Sequence, residues 1–194
     1  MTLNMRDMII ETASELFMKQ GYLATSTRQI AKKLNITQPA LYFHFKNKEE
    51  LYTEVLSTFT HEIGVNLNAL MAQETSFYQK LYSMGDYLQR SHVVNFSMMM
   101  HDISNELSEE TQFTIFIIWK KNYFDPFDTY FIQLEKWLRP ELSALAASRH
   151  FLRNLSAYIM EDQNYQMMSD LDLGTMVDIF LRGIVKPEYL SQIY

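Results

Sequence analysis

Gln38, Ala40, Tyr42 and His44 surround the apolar pair Leu41 and Phe45, and their side chains carry the groups that read a polar, charged surface. A glutamine amide can make a paired hydrogen bond to an adenine edge, an arginine guanidinium to a guanine edge, and a methyl such as that of Ala40 can meet a thymine methyl. Tyr42, His44, Lys46 and Lys48 suit phosphate contacts, which position a protein without reading sequence. Taken singly, each is an ordinary residue of a solvated helix face. The surrounding charge gives them a common direction. Between Ala24 and Lys48 the chain has five cations, Arg28, Lys32, Lys33, Lys46 and Lys48, and no carboxylate.

That field stands out because the 194-residue chain is acidic, with a formal charge of −6. Residues 1–50 hold seven Lys and Arg against five acids, a balance of +2, and the remaining residues hold ten against eighteen, a balance of −8. Attraction to nucleic acid is therefore expected at one end only. A coating protein would be basic throughout.

The elements that must position these side chains are short helices. A helix from about Met5 to Gln20 is expected, capped by Asn4, with Ile9, Ala13, Leu16 and Phe17 as its apolar stripe and Gly21 just past its end. A second opens at Ser26, with Gln29 completing a capping box, and turns Ile30, Ala31 and Leu34 inward. Asn35 stands at the turn, where a left-handed backbone is needed. A third starts at Thr37 with Pro39 in its first turn, and Asn47 caps a fourth with Glu50 at the capping-box position. Two short amphipathic segments about a tight turn are the sequence form of a helix-turn-helix.

Here the residues carry a resemblance. Ala13-x-x-Leu16-Phe17, Gly21-Tyr22-x-x-Thr25-Ser26, Ile30-Ala31-x-x-Leu34, Ile36-Thr37 and Leu41-Tyr42-x-His44-Phe45-x-x-Lys48-Glu49-Glu50-Leu51 follow one another in order. The segment from Ile9 to Leu56 resembles the DNA-binding domain of the TetR family of bacterial transcriptional repressors. The resemblance implies that Thr27, Arg28, Thr37, Gln38, Pro39, Ala40, Tyr42, His44, Lys46 and Lys48 lie at the DNA, with Thr27 and Thr37 as phosphate partners. Asn35 departs from the family's usual Gly. The short N-terminal arm offers only Arg6 near DNA.

An all-α fold is expected throughout, since Gly and Pro number only five and four. Helical patterns continue over residues 48–72, 76–93, 95–104, 109–123, 126–138, 142–162 and 173–183. No Gly- or Ser-rich linker separates a DNA-binding head, 1–47, from a body, 48–194, so the fourth helix is expected to run between them as a stiff connector. The family implies a homodimer on a palindromic operator, with half-sites ~34–36 Å apart. Its dimer surface is expected on two stripes, Phe151, Leu155, Tyr158 and Ile159, and Met176, Ile179, Phe180 and Gly183, with small Ala146 and Ala147 permitting close approach.

The middle of the chain is soft and aromatic, and Met fits irregular apolar shapes. A pocket for a small hydrophobic effector is expected there, with Asn95, Met99, His101, Phe113, Phe116, Trp119 and Tyr123 as candidate lining. Plain core packing is the competing account of each. No cofactor or metal is expected: Cys is absent, and no two of His61, His92, His101 and His150 stand three or four apart. No phosphate-cradling Gly loop, nucleophile elbow or telling carboxylate pair points to an enzyme. The chain has no apolar run of membrane-spanning length and no signal peptide, so a cytoplasmic, nucleoid-associated protein is expected. The alternative to a ligand-released repressor is a DNA-bound scaffold that recruits a protein partner and has no effector.

Overall fold

The computed structural model describes residues 4–91, 96–159 and 171–194. They are all-α, with no β-strand among them and one isolated bridge between Leu138 and Val185. They fold as two compact units, one within 1–61 and 94–119, the other within 62–93 and 120–194.

The first unit opens with α1, Met5–Ala24, whose buried Ile9, Ala13 and Phe17 recur every four residues on one face. Asn4 caps it by accepting from the Asp7 N–H at 3.0 Å. The helix breaks at Gly21, where φ is +83°, and one further turn reaches Ala24. A side chain at Gly21 would be strained by that φ, and its Cβ would also lie 3.1 Å from Met98 Sδ and 3.3 Å from Asp102 Oδ2.

Helix α2, Thr27–Lys33, begins with the expected capping box: Ser26 Oγ accepts from the Gln29 N–H and Gln29 Oε1 accepts from the Ser26 N–H, at 3.2 and 2.8 Å. Asn35 adopts φ +54° at the turn, and Thr37 caps α3, Gln38–His44. Asn47 caps α4, Lys48–Met71, accepting from the Glu50 N–H at 2.7 Å. The Glu50 carboxylate reaches one residue beyond a standard box and accepts from Lys46 N–H at 2.6 Å. Leu41 and Phe45 of the α3 segment sink into a core with Ile30, Leu51, Tyr52 and Val55. Two later helices close that core: α6, Phe96–Glu106, through Met99 and Ile103, and α7, Glu109–Trp119, through Ile115 and Trp119.

The second unit takes the remainder of α4, then α5, Phe77–Ser91, a π turn at Lys120–Phe124, α8, Asp125–Leu134, α9, Ala144–Ile159, and α10, Leu173–Ile184. Leu81, Met84 and Leu88 on α5, Phe127 and Phe131 on α8, Phe151 and Leu155 on α9, and Val177 and Leu181 on α10 are all buried. Gly85 faces Leu155 and Leu173, and a Cβ there would stand 3.4 Å from Leu155 Cδ1, at van der Waals contact. Asp128 is buried between α8 and α9, accepting from Ser148 Oγ at 2.6 Å and from both terminal nitrogens of Arg149 at 2.9 Å.

Two expected helices end early. The one over 109–123 gives way to the π turn after Trp119, and the one over 126–138 stops at Leu134. Beyond a short 3₁₀ turn the chain goes extended at Leu138 to bridge Val185, and the Arg139 N–H donates to Ile184 O at 2.9 Å.

Candidate nucleic-acid interface

Seven residues make only two turns, so α3 can bury one line of side chains and must show the rest. Leu41 is fully buried, and Gln38, Pro39, Ala40 and Tyr42 are exposed, as is the cap Thr37. Arg28 on α2 is exposed too. The two helices are joined by one hydroxyl. Thr27 Oγ1 accepts from Gln38 Nε2 at 2.9 Å and shares a hydrogen bond of 3.1 Å with the Tyr42 hydroxyl. Thr27 itself is only 6% exposed, so it sits beneath the face, and it orients two residues that lie on it. The amide oxygen of Gln38 and its second N–H remain for a partner.

The cations differ from one another. Lys46 is exposed. Lys48, half-buried, places its ammonium 4.0 Å from the centre of the Tyr22 ring. Burial lowers its pKa, and the negative charges of Asp102 and Glu106 pull it back up. Lys33 pairs with Glu15. Arg6 pairs with Glu54 at 3.1 Å and lies 5.0 Å over the Phe45 ring, so it works as a helix-packing residue.

Sequence reasoning passed over Phe43, which is 86% exposed, with its ring edge-on to the half-buried His44 at 5.4 Å. The signal was present. With Leu41 and Phe45 a full turn apart as anchors, the residue midway between them has to point away from the core.

The effector candidates differ in burial. Met99 and Trp119 are core residues of the first unit, Tyr123 is buried in the second, and His101, Phe113 and Phe116 are exposed. Asn95 lies outside the described residues. Two open hollows occur elsewhere. One, about 360 Å³ and within the first unit, is lined by Lys46, Glu50, Thr53, Ser108 and Thr111 among others. The other, about 490 Å³ and within the second, is lined by Asn66, Leu70, Asp86, Tyr87 and Arg90 among others. The dimer candidates divide similarly. Phe151 and Leu155 are fully buried and Met176 nearly so, while Phe180 packs its ring 5.4 Å from that of Phe151. Tyr158 is half-buried, Ile179 is 54% exposed, and Gly183 is exposed with nothing within 4 Å of a built Cβ. The side chain of Ile159 is outside the described set. Among the described residues no group of three His, Asp or Glu could hold a metal ion, and no helix is long and apolar enough to cross a membrane.

Comparison with known proteins places this face in context. A family model described as "Bacterial regulatory proteins, tetR family" matches residues 9–55. The HTH-type transcriptional regulator QacR of Staphylococcus aureus is 46% identical over 55 residues, 28% of this chain and 29% of that protein. The uncharacterized HTH-type transcriptional regulator YvkB of Bacillus subtilis is 30% identical over 113 residues, 54% of this chain and 58% of that protein. The chain thus spans less than two thirds of these curated relatives. A crystal structure of the transcriptional regulator FadR from Bacillus subtilis in complex with stearoyl-CoA aligns with a TM-score of 0.66 at 17% identity, covering 90% of this chain and 95% of that one. That likeness extends the shared all-α fold well past the head.

Proposed function

We propose that this chain, whose residues 9–55 match the model of the tetR family of bacterial regulatory proteins, is a DNA-binding transcriptional regulator and not an enzyme, and that it acts as a repressor. It binds a palindromic operator as a homodimer and is released by a small hydrophobic effector. The observation that carries the reading is the outer face of α3, where Gln38 and Tyr42 are fixed on Thr27 while Pro39, Ala40 and Phe43 stand free. One such helix makes too few contacts for specific affinity, so two copies are required, on half-sites about one helical turn apart. Residues 1–47 form the reading head and residues 48–194 the sensing and dimerising body, with α4 passing from one to the other.

The outward line of α10, from Thr175 through Ile179 to Gly183, supplies the dimer face, backed by the buried Phe151, Leu155 and Met176. The effector reading is supported by the exposed apolar Phe113, Phe116 and Ile117 on α7, and by a fold neighbour described with an acyl-CoA. A second reading, a DNA-bound scaffold without an effector, is favoured by the position of the two hollows, neither of which is lined by the aromatic candidates.

Fluorescence anisotropy on the duplex flanking its own gene, with and without acyl-CoAs and aromatic compounds, tests both. Nanomolar, palindrome-dependent binding abolished by a compound is the expected result. Specific binding that no compound disturbs would move the conclusion to the scaffold, and absence of specific binding would overturn the operator assignment.

A further inference from the structure

We propose that Asp102 of α6 is a positioning residue for DNA binding: it docks the last turn of α1 and holds Lys48 against the Tyr22 ring, so that DNA phosphate competes with an internal site for that cation. The inference rests on the reading of Lys48 as DNA-facing.

Asp102 is 5% exposed, and its Oδ2 accepts from the Tyr22 N–H at 2.8 Å, immediately after the left-handed Gly21. The glycine is needed there, because a Cβ at position 21 would meet the same carboxylate oxygen at 3.3 Å. The docked backbone fixes the ring on which the Lys48 ammonium rests, 4.0 Å from its centre. Glu106, four residues after Asp102, adds a second negative charge on the same helix face. Both carboxylates favour the charged form of Lys48 against its burial, and with Glu49 they help burial to push the Tyr22 hydroxyl up to about 12. Lys48 therefore has, before any DNA arrives, a ring beneath it and two carboxylates of α6 whose charge favours its ammonium. A phosphate gains from this lysine only the difference between the two sites. Displacing α6 would release the cation, and seating α6 would withdraw it.

The test is a cycle of Asp102→Asn and Lys48→Gln in the full-length protein, with affinity for the duplex flanking its own gene measured across a salt series. Asparagine keeps an oxygen for the Tyr22 N–H and removes the charge. Asp102→Asn is expected to tighten binding about threefold, as befits a single charge acting on a partly exposed lysine. Lys48→Gln is expected to lower the slope of log affinity against log salt by about one in the Asp102→Asn background and by less than about half that in the parent. A general loss of negative charge would tighten binding equally with or without Lys48, and equal slope changes in the two backgrounds overturn the inference alone. If Asp102→Asn fails to fold, Glu106→Gln replaces it, with a smaller gain in the same direction expected and no gain counting against the proposal. Failure of the parent to bind any duplex overturns the DNA-binding reading, and this inference with it.

Discussion

Thr27 shows how little of a residue's role is contained in its type. A threonine on the first turn of a basic helix suggests a surface hydroxyl for phosphate, yet it lies beneath Gln38 and Tyr42 and holds both. Thr27→Val keeps the shape and removes the hydroxyl. Each lost hydrogen bond is worth about 1 kcal/mol, and both freed partners can turn to water, so operator affinity is expected to fall about fivefold with little change in the unfolding midpoint. Anisotropy and thermal melts measure the two effects separately. Glu49 gives a prediction in pH. Its carboxylate accepts from Thr111 Oγ1 at 2.6 Å and Ser108 Oγ at 2.8 Å, and the Thr111 bond leads the causes that hold its pKa below the usual glutamate value. A carboxylate depressed by folding stabilises the fold above its unfolded pKa, and that contribution is lost as pH falls through the folded value. The stability gap between the parent and Glu49→Gln should be full at neutral pH, begin to shrink near the unfolded glutamate pKa of about 4.3 and close as pH falls through the lower folded value. A gap that did not shrink at all as pH fell below about 4.3 in urea titrations would show that the hydroxyl bonds do not act through the charge.

Elements were legible where their signals are local. The caps at Asn4, Ser26, Thr37 and Asn47 and the left-handed Asn35 each depend on one side chain and its near neighbours, and each stands where the sequence places it. Ser26→Ala should accordingly cost about 1 kcal/mol, read from denaturant melts. The end of α7 was not legible. Phe113, Ile115, Phe116, Ile117, Ile118 and Trp119 are apolar all round, so no polar face sets a period, and nothing local announces the π turn that follows. Periodicity on α9 is just as mute about its partner. Phe151 and Leu155 announce a buried face, and the structure buries it within the protomer. Nor does sequence spacing pair Asp128 with Ser148 and Arg149, since those contacts belong to the packing of α8 on α9. Asp128→Ala should cost about 2 kcal/mol, with Arg149 left 43% exposed and partly compensated by solvent.

For the molecule as a whole, the charge balance of +2 over residues 1–50 and −8 beyond them predicts a narrow DNA footprint whose affinity falls steeply with salt. Assembly is tested on the exposed side of α10. Ile179 is 54% exposed, so Ile179→Glu should change the melt of the isolated chain only slightly and yield a monomer in analytical ultracentrifugation. A dimer that survived this charge would place the interface on another face. Gly183 completes the account. A glycine inside a helix costs about 0.5–1 kcal/mol relative to alanine, and here there is empty space for the missing methyl. Within one chain, then, alanine is the better residue. If a second backbone closes over this position, the same methyl stands in its way, and one substitution raises the stability of the subunit while lowering that of the pair. In that case the site sets folding against assembly, and a glycine there favours the pair.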